Sequence, residues 1–371
     1  MNSIQTDTIV IGGGIIGVSL AYGLIKHGSS VILLDREDQN LTASRANFGL
    51  VWVQSKGYGM PRYAEWCIEA TDHWPVFSES LEEETGSKLN YENTGGFEIC
   101  LGEEELAARV KFIEDMRMQS RNGQYEVSML SRDELQKMLP KIALGNDVSG
   151  ASFCRHDGIV DPLNLLRTFY QGFQKRGGDY RPGHWVEDIQ KDGSGFLVKT
   201  PKQHFRAQKL VIASGLATTK LSNMVGMAVP VSPQKGQVLV TERTSKLFPF
   251  ATGGIRQNAN GNFMFGASHE DTGIEIGTST DILKVLVSRA LRIFPVLENL
   301  QLVRTWAGLR VLTPDQKPVY CESEEFPGAF AVTSHSGVSL ASLHSDKLPE
   351  WILEGKIFPD FDVFHPRRFN V

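Results

Sequence analysis

The chain has 371 residues, 41% of them hydrophobic and 22% charged, with a formal net charge of −5. This is an ordinary globular composition, long enough for one large domain or two moderate ones. The net acidity leaves no basic surface and argues against nucleic acid as a partner. Cys67, Cys100, Cys154 and Cys321 form no C-x-x-C pair and match no zinc or disulfide framework, the pattern of scattered thiols in a reducing compartment. Met1 to Asp7 lacks the basic start of a secretory leader. Thr8 to Ile25 is apolar enough to raise the question of a membrane span, but its glycine cluster and the strand that follows argue against one. The expected location is cytoplasmic, and no metal-ligand cluster is visible.

The first elements form a unit. Thr8-Ile9-Val10-Ile11 is β-branched and short, as in a buried strand. Gly12-Gly13-Gly14-Ile15-Ile16-Gly17 then gives G-x-G-x-x-G, Val18 to Lys26 reads as a helix closed by Gly28, and Ser30 to Leu34 is a second strand ending on Asp35. Gly12 permits the tight turn, Gly14 lets backbone approach a pyrophosphate, and Gly17 lets the helix lie against the sheet. Asp35 comes 18 residues after Gly17, near the spacing of an acid that holds a ribose hydroxyl. Arg36 has two readings, a contact to a 2′-phosphate or a solvated surface residue.

Beyond Asp35 a plain nucleotide domain would continue with another βα unit. Instead, the small polar run Thr42 to Leu50 leads into Val51-Trp52-Val53. Tyr63 to Thr85 is helical, with a core stripe of Trp66, Ala70, Trp74, Phe77 and Leu81. Gly95 to Leu101 reads as a strand, Glu103 to Gly123 as a helix, and Ser131 to Glu134 as a capping box. Ser149 to Asp161 is strand-like, and Pro162 opens a helix running to about Arg176. Strands follow near His184 to Ile189, Gly195 to Thr200 and His204 to Arg206. Gln208 to Gly215 is another buried strand ending in small residues, so the nucleotide-binding sheet is built from distant pieces. Val229 to Thr241, Gly253 to Gln257 and Asn262 to Ala267 read as antiparallel strands, the last two joined by a turn at Asn258 to Gly261. A helix from Asp281 to Phe294, a strand at Phe330 to Thr333, and a helix from about Ser339 to Glu354 complete the order.

With these pieces in place the chain resembles the D-amino-acid oxidase superfamily of flavoproteins, in the branch of glycine oxidase, sarcosine oxidase and related dehydrogenases. The likeness rests on Gly12 to Asp35, on Val211-Ile212-Ala213-Ser214-Gly215, on Trp306-Ala307-Gly308-Leu309-Arg310-Val311-Leu312-Thr313-Pro314-Asp315, and on His335-Ser336-Gly337-Val338. The third motif is close to the family's W-A-G-L-R-P-x-T-x-D and departs at Val311, where proline is usual. The expected fold class is α/β, an FAD-binding Rossmann-like domain of the glutathione-reductase type interleaved with an antiparallel-sheet substrate domain. The first would comprise residues 1–85, 145–225 and 300–371, and the second residues 86–144 and 226–299.

The resemblance implies FAD. Its contacts would come from Gly12, Gly14, Ile15, Ile16, Gly17, Asp35 and Arg36, from Ser44, Arg45, Ala46, Gly49 and Leu50, and from Val186 beside Trp185. Ala213, Ser214, Gly215, Trp306, Gly308 and Arg310 extend the set, and His335, Ser336, Gly337, Val338 and Ser339 close it. At the last group, helix N-terminal amides would face the flavin N1/C2 edge, where reduced flavin is negative. Family members oxidise an amino acid's C–N bond by hydride transfer to flavin N5, and Arg310 matches the arginine that anchors the substrate carboxylate. Read from its residue type alone, Arg310 fits equally well a structural ion pair between domains. His269 is a second catalytic candidate, with a structural reading beside it; Arg256 is a weaker one.

The run Ser44 to Trp52 and the ending His365-Pro366-Arg367-Arg368-Phe369 look like catalytic β subunits of hetero-oligomeric opine or hydroxyproline dehydrogenases. That implies partner subunits with electron-transfer cofactors, FMN at a subunit interface in some complexes, and an iron–sulfur centre carried elsewhere. The alternatives are a self-sufficient glycine, sarcosine or D-amino-acid oxidase making hydrogen peroxide, a flavin-carrying assembly subunit, and, more distantly, an NAD-linked dehydrogenase.

Overall fold

Alternation along the central strands decides the layering. Val10, Leu33, Val211, Phe330 and Val332 point into one apolar cluster, whereas Ile9, Ile11, Ile32, Leu34, Leu210, Ile212, Ala329 and Ala331 point into another on the opposite face. A sheet buried on both faces needs such continuous apolar runs, which is why these strands carry no polar alternation. The computed structural model describes residues 3–36, 42–121, 125–266, 268–356 and 358–370. Ala267 of the expected strand and residues 122–123 of the expected helix lie outside them.

Among the described residues the first sheet has eight strands. Ser3–Ile11 lies between His204–Ile212 and Val31–Leu34, parallel to both. Ala329–Thr333 extends the parallel set on one side and Asp179–Arg181 on the other. The antiparallel strands Gly195–Lys199 and Asp188–Asp192 fold onto the start of His204–Ile212. Helices Ile15–Lys26, Pro61–Thr85 and Pro162–Lys175 cover the face that holds Val10. In the second of them the aromatic stripe is core: Trp74 and Leu81 are fully buried, with Trp66 and Phe77 nearly so. Each such side chain contributes about 2–3 kcal/mol of burial. Trp74 also donates its indole N–H to the Ser339 carbonyl at 2.8 Å, which ties this helix to the loop at 335–340.

The second sheet, also of eight strands, runs in the order Leu302–Leu312, Ser232–Arg243, Asn262–Phe265, Ile255–Gln257, Ala251–Thr252, Gly96–Leu101, Val148–Cys154 and Val127–Ser131. Its pairings are antiparallel except Ala251–Thr252 with Gly96–Leu101. Helix Thr280–Ile293 packs on it through Ala290 and Ile293, beside Phe97, Phe248 and Phe263. The capping box at Ser131 forms as expected, with Ser131 Oγ accepting from the Glu134 amide and the Glu134 carboxylate accepting from the Ser131 amide.

Three expected elements differ in the structure. The strand-like stretch 149–161 is interrupted by a turn at Arg155–Asp157. Segment 182–187 is irregular, and its strand begins at Asp188. The last helix starts at Ala341, not Ser339, and gives way at Lys347 to a second helix, Leu348–Glu354. Pro349 falls in the first turn of that second helix, where its missing N–H costs nothing.

Candidate active site

The parallel strands of the first sheet end together. Ile11 leads into Gly12, Leu34 into Asp35, Ile212 into Ala213, and Thr333 into Ser334. A crevice at the carboxyl ends of such strands is where nucleotides bind. Gly12 has φ 109°, and a Cβ there would lie 2.3 Å from the Ala213 carbonyl oxygen, so only glycine makes this turn. A Cβ on Gly17 would come within 1.7 Å of the Gly12 oxygen, as close packing of the helix on the turn requires.

The residues expected to hold a dinucleotide converge here. Asp35 Oδ2 accepts from the Gly13 amide at 2.6 Å, and Ser44 Oγ accepts from the Ile15 amide at 2.8 Å. Ala46 accepts the Trp306 indole N–H at 3.1 Å, which brings the second sheet against the 42–49 loop. Arg45 lies half-buried in that loop, and Gly49 bonds across to Val160. Leu50 pairs with Ile159, and the Ser339 hydroxyl donates to the Leu50 carbonyl at 3.4 Å. Ser214 and Gly215 begin a short turn after the strand, and Gly215 faces Val311. Segment 182–187, which carries Val186, is tied to Asp35 through the His184 amide at 2.8 Å. Arg36 is exposed beside it.

A test of fit comes from the 335–340 turn. Gly337, Val338 and Ser339 are buried in a turn that opens at Ser334, and among the described residues none of their amides makes a hydrogen bond of ordinary length and angle. Gly337 lies against Ile15 and Ile16, and Ser336 is held by Tyr63 OH at 2.6 Å. Buried amides so weakly satisfied by the protein can donate to an acceptor from outside the chain. The negative N1/C2 edge of a reduced flavin has that chemistry, so the residues present fit FAD. The amides belong to a turn and not to a regular helix, yet they provide the same donors.

Arg310 sits on Leu302–Leu312, paired with Gln234 of the neighbouring strand. Its Nη1 donates to the Lys235 carbonyl at 3.2 Å, and the guanidinium lies across Gly236, where a Cβ would be 2.6 Å from Nη1. No carboxylate among the described residues pairs with it, because Glu270 is taken by Lys235 Nζ at 3.0 Å and by the Gln237 amide and Ser268 hydroxyl. Burial lowers the Arg310 pKa from its ordinary value. His269 is exposed, with Nδ1 bonded to Gln234 Oε1 at 2.8 Å, and burial of its ring followed by the Arg310 charge holds its pKa down. His335 is held well below the usual range by burial and then by the charges of Lys56 and Arg310. Both imidazoles are therefore neutral at neutral pH. Arg256 is buried over Phe48 and donates to the Val160 carbonyl at 3.3 Å, a wall of the 48–49 loop.

Lys56 and Asp157 were missed by the sequence reading. Asp157 Oδ1 accepts from the Val53 amide at 2.6 Å and Oδ2 from the Gln54 side chain at 2.7 Å, and burial pushes its carboxyl up to about 7. The only sequence signal for Lys56 was its place in Gln54-Ser55-Lys56-Gly57, directly after the small-residue run and its strand.

Comparisons with known proteins agree with this geometry. The family model described as FAD dependent oxidoreductase (DAO) matches residues 7–348. A subunit of opine oxidase from Agrobacterium tumefaciens (strain Ach5) is 38% identical over 99% of this chain and 98% of its own length. Glycine oxidase of Geobacillus kaustophilus is 26% identical over 91% of this chain and 90% of its own. The crystal structure of glycine oxidase from that organism superposes with a TM-score of 0.88 at 26% identity, covering 98% of both chains. Among the described residues no helix is long and apolar enough to cross a membrane.

Proposed function

Because the chain belongs to the DAO family of FAD-dependent oxidoreductases, we propose that it oxidises the C–N bond of a secondary-amine amino acid, of the opine, hydroxyproline or sarcosine kind. The observation that carries this reading is Arg310, a half-buried guanidinium with one backbone hydrogen bond and no carboxylate partner among the described residues. Bound FAD supplies the two-electron, hydride-accepting chemistry that amine oxidation requires. The residues proposed to hold it are those of the strand-end crevice, with Ser44 and the Gly12–Gly17 turn toward the phosphates, Asp35 toward the ribose, and the Gly337–Ser339 amides toward the flavin ring.

The chain's own work is then binding and orientation. Arg310 offers its fork to the substrate carboxylate, a geometry that lysine does not reproduce. Gln234 Oε1 accepts from His269 Nδ1–H, so Nε2 carries the lone pair and can take the substrate amine's proton. The amine must be neutral to be oxidised, and the Arg310 guanidinium beside it favours the unprotonated amine by charge repulsion.

We further propose that the chain is the catalytic β subunit of a dehydrogenase complex, since the 38%-identical relative is itself named a subunit. Electrons would leave through partner subunits, with FMN at an interface and any iron–sulfur centre on a partner. The glycine oxidase likeness supports a second reading, a self-sufficient oxidase that makes hydrogen peroxide. The test begins with anaerobic addition of N-substituted amino acids to the FAD-loaded chain. Bleaching of the visible flavin bands is the expected result, and bands that persist with every compound count against the reading. Peroxide released by the purified chain in air favours the self-sufficient oxidase over the complex.

A further inference from the structure

The strand pair that carries Arg310 has two faces with different contents. Gln234 and Gly236 of Ser232–Arg243 stand opposite Arg310 and Gly308, and alternation puts these four on the face that Ala46 of the 42–49 loop covers. Lys235 and Gln237 point the other way. There Lys235 Nζ meets Glu270 Oε2 at 3.0 Å, Gln237 Nε2 donates to both carboxylate oxygens at 2.9 and 3.0 Å, and the Ser268 hydroxyl donates to Oε1 at 2.9 Å. The Ser279 amide, just ahead of helix Thr280–Ile293, closes the cluster by donating to Gln237 Oε1 at 2.9 Å. Little water reaches it: the Lys235 and Glu270 side chains are 7% and 10% exposed, and Gln237 is fully buried.

One atom joins the two faces. The Lys235 carbonyl oxygen accepts from the Glu270 amide at 3.0 Å and from Arg310 Nη1 at 3.2 Å. A buried carboxylate therefore belongs to the residue that shares a single oxygen with the proposed substrate anchor, and its charge reaches Arg310. A buried ion pair is often no more stabilising than well-packed apolar side chains, so its presence here calls for a role other than stability. Charge balance supplies one. Arg310 has one positive charge to offer a substrate carboxylate, and an uncompensated Glu270 beneath it would cancel part of that charge, because low-dielectric surroundings screen little. Lys235 compensates Glu270 from the far face, where its ammonium cannot compete for the ligand.

We propose that Lys235 is a positioning residue for the substrate anchor: its carbonyl fixes the Arg310 guanidinium, and its ammonium neutralises Glu270 on the opposite face of the sheet, so that the full charge of Arg310 is available to a carboxylate ligand. This rests on the reading of Arg310 given above and adds to it an ion pair that never touches substrate.

The test measures binding of methoxyacetate, a carboxylate with no C–N bond to oxidise. Dissociation constants are taken on the FAD-loaded protein by calorimetry and from perturbation of the visible flavin bands, at about pH 8 to keep Glu270 ionised. Lys235→Met leaves the backbone carbonyl in place and removes the ammonium, and is expected to weaken methoxyacetate about tenfold. Combining it with Glu270→Gln removes both charges and should return the affinity to within about threefold of the wild type. Glu270→Gln alone should bind the anion at least as tightly as the wild type, whereas a purely structural pair predicts weaker binding when either partner is lost. A double variant as weak as Lys235→Met, a Lys235→Met protein with wild-type affinity, or weaker binding by Glu270→Gln overturns the proposal. If Lys235→Met does not fold, Glu270→Gln decides by the same sign. Arg310→Met separates the two readings. Loss of methoxyacetate binding keeps Arg310 as the anchor whatever the Lys235 variants show. Unchanged binding, or a wild type that does not bind the anion, removes the anchor and this inference with it.

Discussion

Replacing Arg310 with Met separates a substrate anchor from a structural ion pair, the two roles its residue type allows. Met matches the length of the stem without the charge. Removal of the fork takes away two charge-assisted bonds to a carboxylate, each about 1.5–3 kcal/mol, so kcat/KM should fall by about 10²–10⁴-fold. Stability should respond differently. Arg310 keeps a single bond, to the Lys235 carbonyl, and its burial is not offset by any carboxylate among the described residues. Losing that bond costs about 1 kcal/mol, and relieving a desolvated charge returns a similar amount. The variant should therefore unfold in urea within about 1 kcal/mol of the wild type, while anaerobic titration shows much weaker substrate binding. A loss of about 3–5 kcal/mol in stability is the signature of a broken buried ion pair. Together with unchanged substrate affinity, that loss would refute the anchoring argument.

Other outcomes follow from the same structure. Burial lowers the pKa of His344 to about 3, against about 6.5 when unfolded, with Tyr320 OH at 2.9 Å from its Nε2. The unfolded chain takes up a proton that the folded chain refuses, so this stability is full above about pH 6.5 and declines toward pH 3. The loss is about 2 kcal/mol at pH 5; urea midpoints of the wild type should fall more steeply between pH 7 and pH 5 than those of His344→Leu, and parallel slopes would count against it. Gly308→Val places a Cβ where Ala46 Cβ lies 2.3 Å away, pushing the 42–49 loop. Its expected effect is FAD lost on dialysis from a protein with normal circular dichroism. Ser131→Ala removes one side of the capping box and should cost about 1 kcal/mol in urea, with substrate binding unaltered.

What could be read from the sequence was what is local. The turn at Gly12 and the packing at Gly17 are imposed by backbone geometry within a few residues of the motif. The Trp66–Leu81 stripe follows from helical period alone. Asp157 could not be read in this way, because it acts on Val53 and Gln54 from about a hundred residues away. The 335–340 turn was expected as a helix start. Its donors were foreseen through the family likeness, whereas their weak pairing within the protein is visible only once Ser336, Trp74 and Tyr63 are seen holding the turn in place.

The meeting of strand ends has a consequence for how the protein is made. Gly12 and Asp35 leave the ribosome early, Ala213 much later, and Gly337 after nearly the whole chain. The central strand Ser3–Ile11 must wait for His204–Ile212 to gain its second neighbour. Contacts so distant in sequence make for slow, high-contact-order folding, with apolar strands open to association meanwhile. The nascent chain therefore has half a nucleotide cradle for most of its synthesis. Cofactor capture falls at the end of folding, where a tightly held ligand draws the finished structure forward by mass action.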